Sequence, residues 1–303
     1  KHRKKLIKNA AVFDGHSSGL AQGKKIVIED DIVTEITADE VSEENFDEVF
    51  DGTGMVAMPG MTDAHVHLGC LFAKGEFPVD YATVLTVAKC KDALMAGFTT
   101  FRDAGSVSEG LKLAFDEGVL PGPRIYPCGA YISQTCGHGD SEYAHTYRDI
   151  QYRHPSSTVL VDGVPEIIRA VREQFYRGAS HIKLMATEIL NRHEDIRLLF
   201  GTDMMITGPD YQVEQSEDIR YYEKRFGTMR ALRALTGTAN EVFALTTYQN
   251  PYPKGKIGVL EAGSYADLLL VDGDPTKRVS VLADTDHLRL IMKGGTVYKN
   301  TLC

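Results

Sequence analysis

Two histidines one residue apart, His65 and His67 in His65-Val66-His67, are the side chains of this chain best suited to chemistry. Alternate side chains of an extended strand share a face, so both imidazoles can reach one ion. Imidazole nitrogen suits zinc and its neighbours in the first transition row. The plainer alternative is two satisfied surface histidines. Here Pro59-Gly60 opens the run, Asp63 precedes the pair and Gly69 ends it, which favours the metal.

Lys183 lies in the apolar run His181-Ile182-Lys183-Leu184-Met185-Ala186, where a bare ammonium is costly to bury. Either it reaches past the sheet to a carboxylate, or its amine, neutralised by burial, reacts with carbon dioxide to give an anionic carbamate that bridges two metal ions. Asp203 ends Phe200-Gly201-Thr202-Asp203. As an Asx turn or helix cap it is ordinary; beside a metal it can bind the ion and take a proton from water. His138, in Gln134-Thr135-Cys136-Gly137-His138-Gly139-Asp140, is a turn histidine or, with glycine on both sides, a group that polarises a substrate carbonyl. Arg102 and Asp103 read as supports rather than reacting groups.

The elements that must position these residues fall into two kinds. Short apolar runs over Leu6 to Phe13, Lys25 to Ile36 and Glu48 to Ala57, and again over Ala266 to Val271, Leu288 to Lys293 and Thr296 to Tyr298, predict antiparallel strands from both ends sharing one domain, 1–56 with 253–303. Between them, 57–252 alternates strand and helix, the mark of a parallel α/β core. Strands are predicted at Met61 to Leu68, Thr99 to Arg102, Arg124 to Cys128, His181 to Ala186 and Arg197 to Phe200; helices at Tyr81 to Ala96, Gly110 to Glu117, Gly163 to Arg177 and Thr228 to Leu245. In barrels of such units catalytic groups sit at the C-terminal ends of strands, where His65, His67, Lys183 and Asp203 fall.

Composition limits the partners. The 303 residues are 43% hydrophobic and carry a net charge of -9, which argues against nucleic acid and against anionic membrane. The basic run Lys1-His2-Arg3-Lys4-Lys5 reads as a solvated end. No apolar run approaches the roughly 20 residues of a membrane-spanning helix, and no segment of signal-peptide type opens the chain. The five cysteines, Cys70, Cys90, Cys128, Cys136 and Cys303, lack CxxC spacing; a disulfide framework is not expected, and a cytoplasmic setting is.

With these residues in place, the chain resembles the amidohydrolase superfamily, in the imidazolonepropionase-like branch that includes zinc-dependent dipeptidases and acyl-amino-acid hydrolases. The likeness is carried by Met58-Pro59-Gly60-Met61-Thr62-Asp63-Ala64-His65-Val66-His67, Ala96 to Asp103, Gly122-Pro123-Arg124, Gly137-His138-Gly139-Asp140, Gly178 to Lys183, Phe200 to Asp203 and Ala262 to Pro275. It implies a (β/α)8 TIM-type barrel with a composite β-sandwich domain from both termini. It further implies two zinc ions bridged by hydroxide and a carboxylated Lys183. His65 and His67 would bind the more buried ion, Asp203 would complete its shell and shuttle the proton, and His138 would contact the substrate. By analogy a homo-oligomer is expected.

The chain departs from the family in one respect. Two further histidines, at the ends of strands five and six, hold the second ion in such enzymes, yet only residues 184–202 separate Lys183 from Asp203. That is too short for three more βα units, and a barrel takes about 250 residues, so roughly a hundred are missing after Thr187. His193 lies too close to the next strand to replace the pair. Either stretches apart in the whole molecule are joined near 187–195, or the product truly lacks these units. The first is favoured because both flanks keep intact strands and an open parallel barrel exposes apolar edges. Uninterrupted Cα spacings of about 3.8 Å across 187–195 would contradict it.

The function expected is hydrolysis of an amide bond in a dipeptide or N-acyl amino acid by metal-bound hydroxide. The alternatives are a non-catalytic barrel relative that binds or scaffolds, and a cyclic-amide hydrolase or deaminase on the same fold.

Overall fold

The structure is a computed structural model that describes residues 3–68, 79–106, 108–137, 139–140, 158–185, 197–205 and 211–302. In chain order its strands are β1 (Lys4–Lys8), β2 (Ala11–Val12), β3 (Lys25–Glu29), β4 (Ile32–Thr37), β5 (Glu48–Asp51), β6 (Val56–Pro59), β7 (Met61–His67), β8 (Phe98–Asp103), β9 (Arg124–Tyr126), β10 (Tyr131–Ser133), β11 (Thr158–Leu160), β12 (Met204–Met205), β13 (Leu268–Val271), β14 (Leu288–Lys293) and β15 (Thr296–Asn300). The α-helices are α1 (Val79–Met95), α2 (Glu109–Asp116), α3 (Val164–Tyr176), α4 (Tyr211–Phe226), α5 (Thr228–Leu235) and α6 (Gly237–Phe243).

Both chain ends meet in one sheet, ordered β15-β14-β13-β6-β2, beside a second sheet ordered β4-β3-β1-β5. β13 and β6 run antiparallel, with Leu268 opposite Pro59 and Leu270 opposite Ala57. The unbroken apolar run of β13 follows from burial on both faces. Leu268 and Leu270 pack with Ile7, Ile26, Ile28 and Phe50 of the facing sheet. Leu269 and Val271 turn the other way, into a core shared with Val66, Phe98 and Leu235.

A sheet ordered β12-β7-β8-β9 is parallel throughout, and this is the α/β core that the alternating rhythm predicts. A further parallel pair, β10 with β11, continues along the chain, and Leu184 bridges Ile132 beside it. The predicted strand at His181 to Ala186 is reduced to that bridge among the described residues, because only β10 offers it a ladder. The predicted strand at Arg197 to Phe200 is also corrected. Residues 197–203 are irregular, and regular pairing starts only at β12, where Met204 and Met205 lie against Val66 and His67. The predicted junction at 187–195 and the candidate His138 lie outside the described residues.

Two helix expectations change for physical reasons. Thr228 to Leu245 is not one helix, because Thr236 leaves helical geometry at φ -134°, ψ -99° between α5 and α6. At that break a Cβ on Gly237 would lie 2.1 Å from the Gly15 carbonyl oxygen, so only glycine lets the two backbones approach so closely. Helix α4 was not expected at all. Its inner stripe runs through Gln215, Ile219 and the partly buried Tyr222, and a buried glutamine breaks the apolar period by which helices are read. Among the described residues no helix is long and apolar enough to cross a membrane.

A buried ion pair ties the sandwich to the parallel core. Arg124 of β9 donates from Nε to Asp267 Oδ2 at 2.7 Å and from Nη2 to Oδ1 at 3.2 Å, and the Gly294 amide adds a bond to Oδ1 at 2.6 Å. The guanidinium lies 3.9 Å from the Tyr265 ring centroid, a cation–π geometry. The side chains are only 10% and 3% exposed. Removing one partner leaves the other charge buried alone, so Asp267→Ala is expected to cost about 3–5 kcal/mol of unfolding free energy. Urea denaturation reads this directly; an unchanged midpoint would refute the lock.

Candidate metal centre

Val66 is fully buried in the shared core, and the pleat of β7 therefore turns His65 and His67 together to the opposite face. Their ring centroids are 5.4 Å apart. Asp203 reaches both: its Oδ1 lies 3.0 Å from His65 Nε2 and 3.3 Å from His67 Nε2. Lys183 Nζ lies 2.9 Å from His65 Nε2. Four of the side chains singled out in the sequence thus converge, from β7, from the bridge beside β10 and from the segment before β12.

Asp203 is delivered by a segment with no strand ladder of its own. Phe200 is fully buried, its ring centroid 5.8 Å from that of Phe98 and 4.9 Å from that of Tyr222. The Ala64 amide donates to the Phe200 carbonyl at 2.8 Å, and the Asp203 amide to the His65 carbonyl at 2.8 Å. Between them a Cβ on Gly201 would lie 2.7 Å from His65 Cβ, so a larger residue would push the two segments apart. Asp203 itself has φ +55°, a left-handed conformation that Asp and Asn tolerate better than most residues.

The residue that fixes this arrangement is Asp63, two positions before His65 on the same strand. Its fully buried carboxylate accepts from the His65 amide at 3.2 Å, the Thr202 amide at 3.2 Å, the Thr202 hydroxyl at 2.9 Å and the Gln215 side-chain amide at 3.1 Å. Burial pushes its carboxyl up to about 7 in spite of those donors. The sequence marks Asp63 only as the residue before the pair; its signal was the i, i+2, i+4 series Asp63, His65, His67. Thr202 and Gln215 carry no such signal. Asp103 is a support, as read: it accepts from the Gly105 amide at 3.2 Å and from the Ser106 hydroxyl. That holds the Gly105 carbonyl 3.4 Å from His67 Nδ1.

The donor set fits a divalent cation. Burial, and next the charge of Lys183, push His65 down to about 4, and burial likewise lowers His67, so both rings are neutral at pH 7. If His67 Nδ1 carries the proton that faces the Gly105 carbonyl, its Nε2 lone pair points at a carboxylate oxygen. Two acceptors face each other favourably only with a cation between them. One nitrogen from each ring and one oxygen of Asp203 all lie within 4.8 Å of one another, and two imidazoles with a carboxylate are a zinc-type set.

Residues 56–196, which hold both histidines and Lys183, match the model of the amidohydrolase family. Ochratoxinase of Aspergillus niger is 34% identical over 152 residues, 44% of this chain and 31% of ochratoxinase's own length, so the alignment spans about a third of that enzyme. The fold extends further. An amidohydrolase crystal structure superposes with TM-score 0.83 at 23% identity, over 99% of this chain and 100% of that one. A prolidase complexed with N-methylphosphonate-L-proline does so with TM-score 0.83 at 22% identity, over 98% of this chain and 100% of its own. The chain is an α/β protein with the architecture of these hydrolases.

Because Asp63 orients the strand of His65 and His67 and the segment carrying Asp203 at once, Asp63→Ala is expected to lower the affinity of this donor set for a divalent cation about 10- to 100-fold. Chelator competition on the folded variant measures it; wild-type affinity would show that the carboxylate does not organise the site.

Proposed function

We propose that this chain is a binuclear zinc-dependent hydrolase of amide bonds in dipeptides or N-acyl amino acids, built on a (β/α)8 barrel over 57–252 with a sandwich of 1–56 and 253–303. The observation that carries the reading is the convergence of His65 Nε2, His67 Nε2, Asp203 Oδ1 and Lys183 Nζ. The amidohydrolase match and the fold shared with a prolidase support it.

His65, His67 and Asp203 would hold one ion, and Lys183, carboxylated on Nζ with release of a proton, would be shared with a second. Zinc there would polarise the amide carbonyl and acidify water at neutral pH. The chain's own residues do the rest. Asp203, 72% exposed at its side chain, is open to solvent and substrate. It takes a proton from the attacking water and returns it to the amine nitrogen as the C–N bond breaks, leaving a carboxylic acid and a free amine. His138 would hydrogen-bond the carbonyl oxygen as negative charge develops. The free, buried Cys90 and Cys128 suit a cytoplasmic enzyme, and a homo-oligomer is the assembly we propose.

A second reading, a barrel that binds metal without turnover, is favoured by one fact: among the described residues the His-His-Asp set is the single metal-type cluster. Screening a dipeptide and N-acyl amino acid library with zinc added separates the two, since zinc uptake without hydrolysis of any member supports the second.

Chelator treatment is expected to abolish hydrolysis and added zinc to restore it; full activity in metal-free protein would overturn the proposal. Asp203→Asn keeps size and tolerance of the left-handed backbone but loses the base. The expected fall in kcat is about 100- to 10,000-fold, with an unchanged melting transition, and survival of activity would remove Asp203 from the proton path.

A further inference from the structure

A cavity of about 410 Å³ has a wall that includes Arg102, Tyr126, His181, Phe243, Leu245 and Thr246. Arg102 and His181 connect it to the segments that carry the metal-type cluster. Arg102 Nη1 donates to the carbonyl of Ala64, next to His65, at 3.4 Å, and His181 stands two residues before Lys183. Arg102 belongs to β8, opposite Tyr126 of β9. Its neighbour Phe101 packs in the shared core, so the pleat directs Arg102 to the other face, into the cavity.

The charge on this wall is one-sided. Among the described residues that single long bond to Ala64 is the hydrogen bond of Arg102, and no carboxylate pairs with it. The described residues lining the cavity include no acid. A guanidinium has five donors and does not give up its proton, so a largely buried one calls for an anion. The imidazole on the wall cannot supply it. His181 Nε2 is 3.0 Å from the Asp103 carbonyl and Nδ1 is 3.0 Å from the Ser180 hydroxyl, and an imidazole side chain is neutral or cationic in proteins, never the anion required. Phe243, stacked on Tyr126 at 3.8 Å between ring centroids, and Leu245 add apolar surface to the lining.

We propose that this cavity is the carboxylate subsite of the substrate: Arg102 grips the free carboxylate through a two-point fork, and the apolar wall takes the side chain attached to it. This assigns Arg102 a binding role where the sequence suggested only a support. It rests on the hydrolase reading for the identity of the molecule that brings the carboxylate, but not for the subsite itself.

Calorimetric titration of the full chain with 3-phenylpropanoate and with the uncharged 3-phenylpropanamide tests the subsite without turnover. The carboxylate is expected to bind at least about tenfold more tightly than the amide. Arg102→Met should abolish that preference, and Arg102→Lys, a point charge without the fork, should keep part of it. Equal binding of acid and amide to the wild type, or an unchanged preference in Arg102→Met, overturns the subsite; should the Met variant not fold, the wild-type comparison and the Lys variant still decide. In turnover, Arg102→Met should raise KM for an N-acyl amino acid with kcat little changed, and leave KM for its carboxamide unaltered. A uniform effect on both substrates overturns the assignment to substrate. If no amide is hydrolysed at all, the hydrolase reading fails while the calorimetry still judges Arg102.

Discussion

One buried carboxylate, that of Asp63, is the constraint on which the candidate centre depends. Its two oxygens take donors from β7, from Thr202 and from Gln215 of α4. They therefore join the strand that carries the histidines, the irregular segment that carries Asp203, and the helix that follows. A neutral or apolar side chain there could not accept from all of them. A backbone ladder could not replace it either, because the segment before β12 is not a strand, and its position comes from Phe200 in the core, Gly201 against His65 and the bonds from Thr202. An irregular, partly strained approach to a site is tolerated when the surrounding contacts over-determine it, and here they do.

The same economy of contacts joins the two parts of the fold. β6 and β13 are buried on both faces, so one pair of strands serves the sandwich core and the parallel core together. The Arg124–Asp267 pair closes the seam on its polar side, flanked by Tyr252 and Tyr265. Close beyond it, Lys293 reaches the Gly122 carbonyl at 2.6 Å. Hydrophobic burial is non-directional, and the fork between guanidinium and carboxylate supplies the orientation that burial lacks. The Met61 end of β7, which follows β6 directly, is thereby held against a sheet assembled from both termini.

Burial also sets the electrostatics of the centre. It drives the imidazoles of His65, His67 and His181 toward the neutral form and pushes the carboxyls of Asp63 and Asp103 up to about 7 and about 6. Neutral imidazole nitrogens beside an exposed carboxylate oxygen, that of Asp203, are donors that suit a divalent cation. Arg102 is the exception, a fixed positive charge whose partner is not among the described residues of the chain.

The chain itself, read as a string of residue types, determined His65, His67, Lys183 and Asp203 as a set. A period of two on a strand, a lysine inside an apolar run and a carboxylate at the close of another are local signals, and local geometry dictates them. It also determined that both termini share a sheet, since runs such as Leu268-Leu269-Leu270-Val271 have nowhere to go but between two cores. Tertiary structure alone decided what supports the set. Asp63 takes its role from Thr202 and Gln215, far along the chain, and α4 hides its stripe behind a glutamine that is buried because Asp63 needs a donor. The Arg197 to Phe200 run reads as a strand from its apolar content, yet bonds as an irregular segment, because the ladder it finds beside β7 begins only at Met204. Arg102 reads as a support until the cavity beside it shows no acid among the described residues. Each of these depends on a contact between residues distant in sequence, and no window of neighbouring residues contains it.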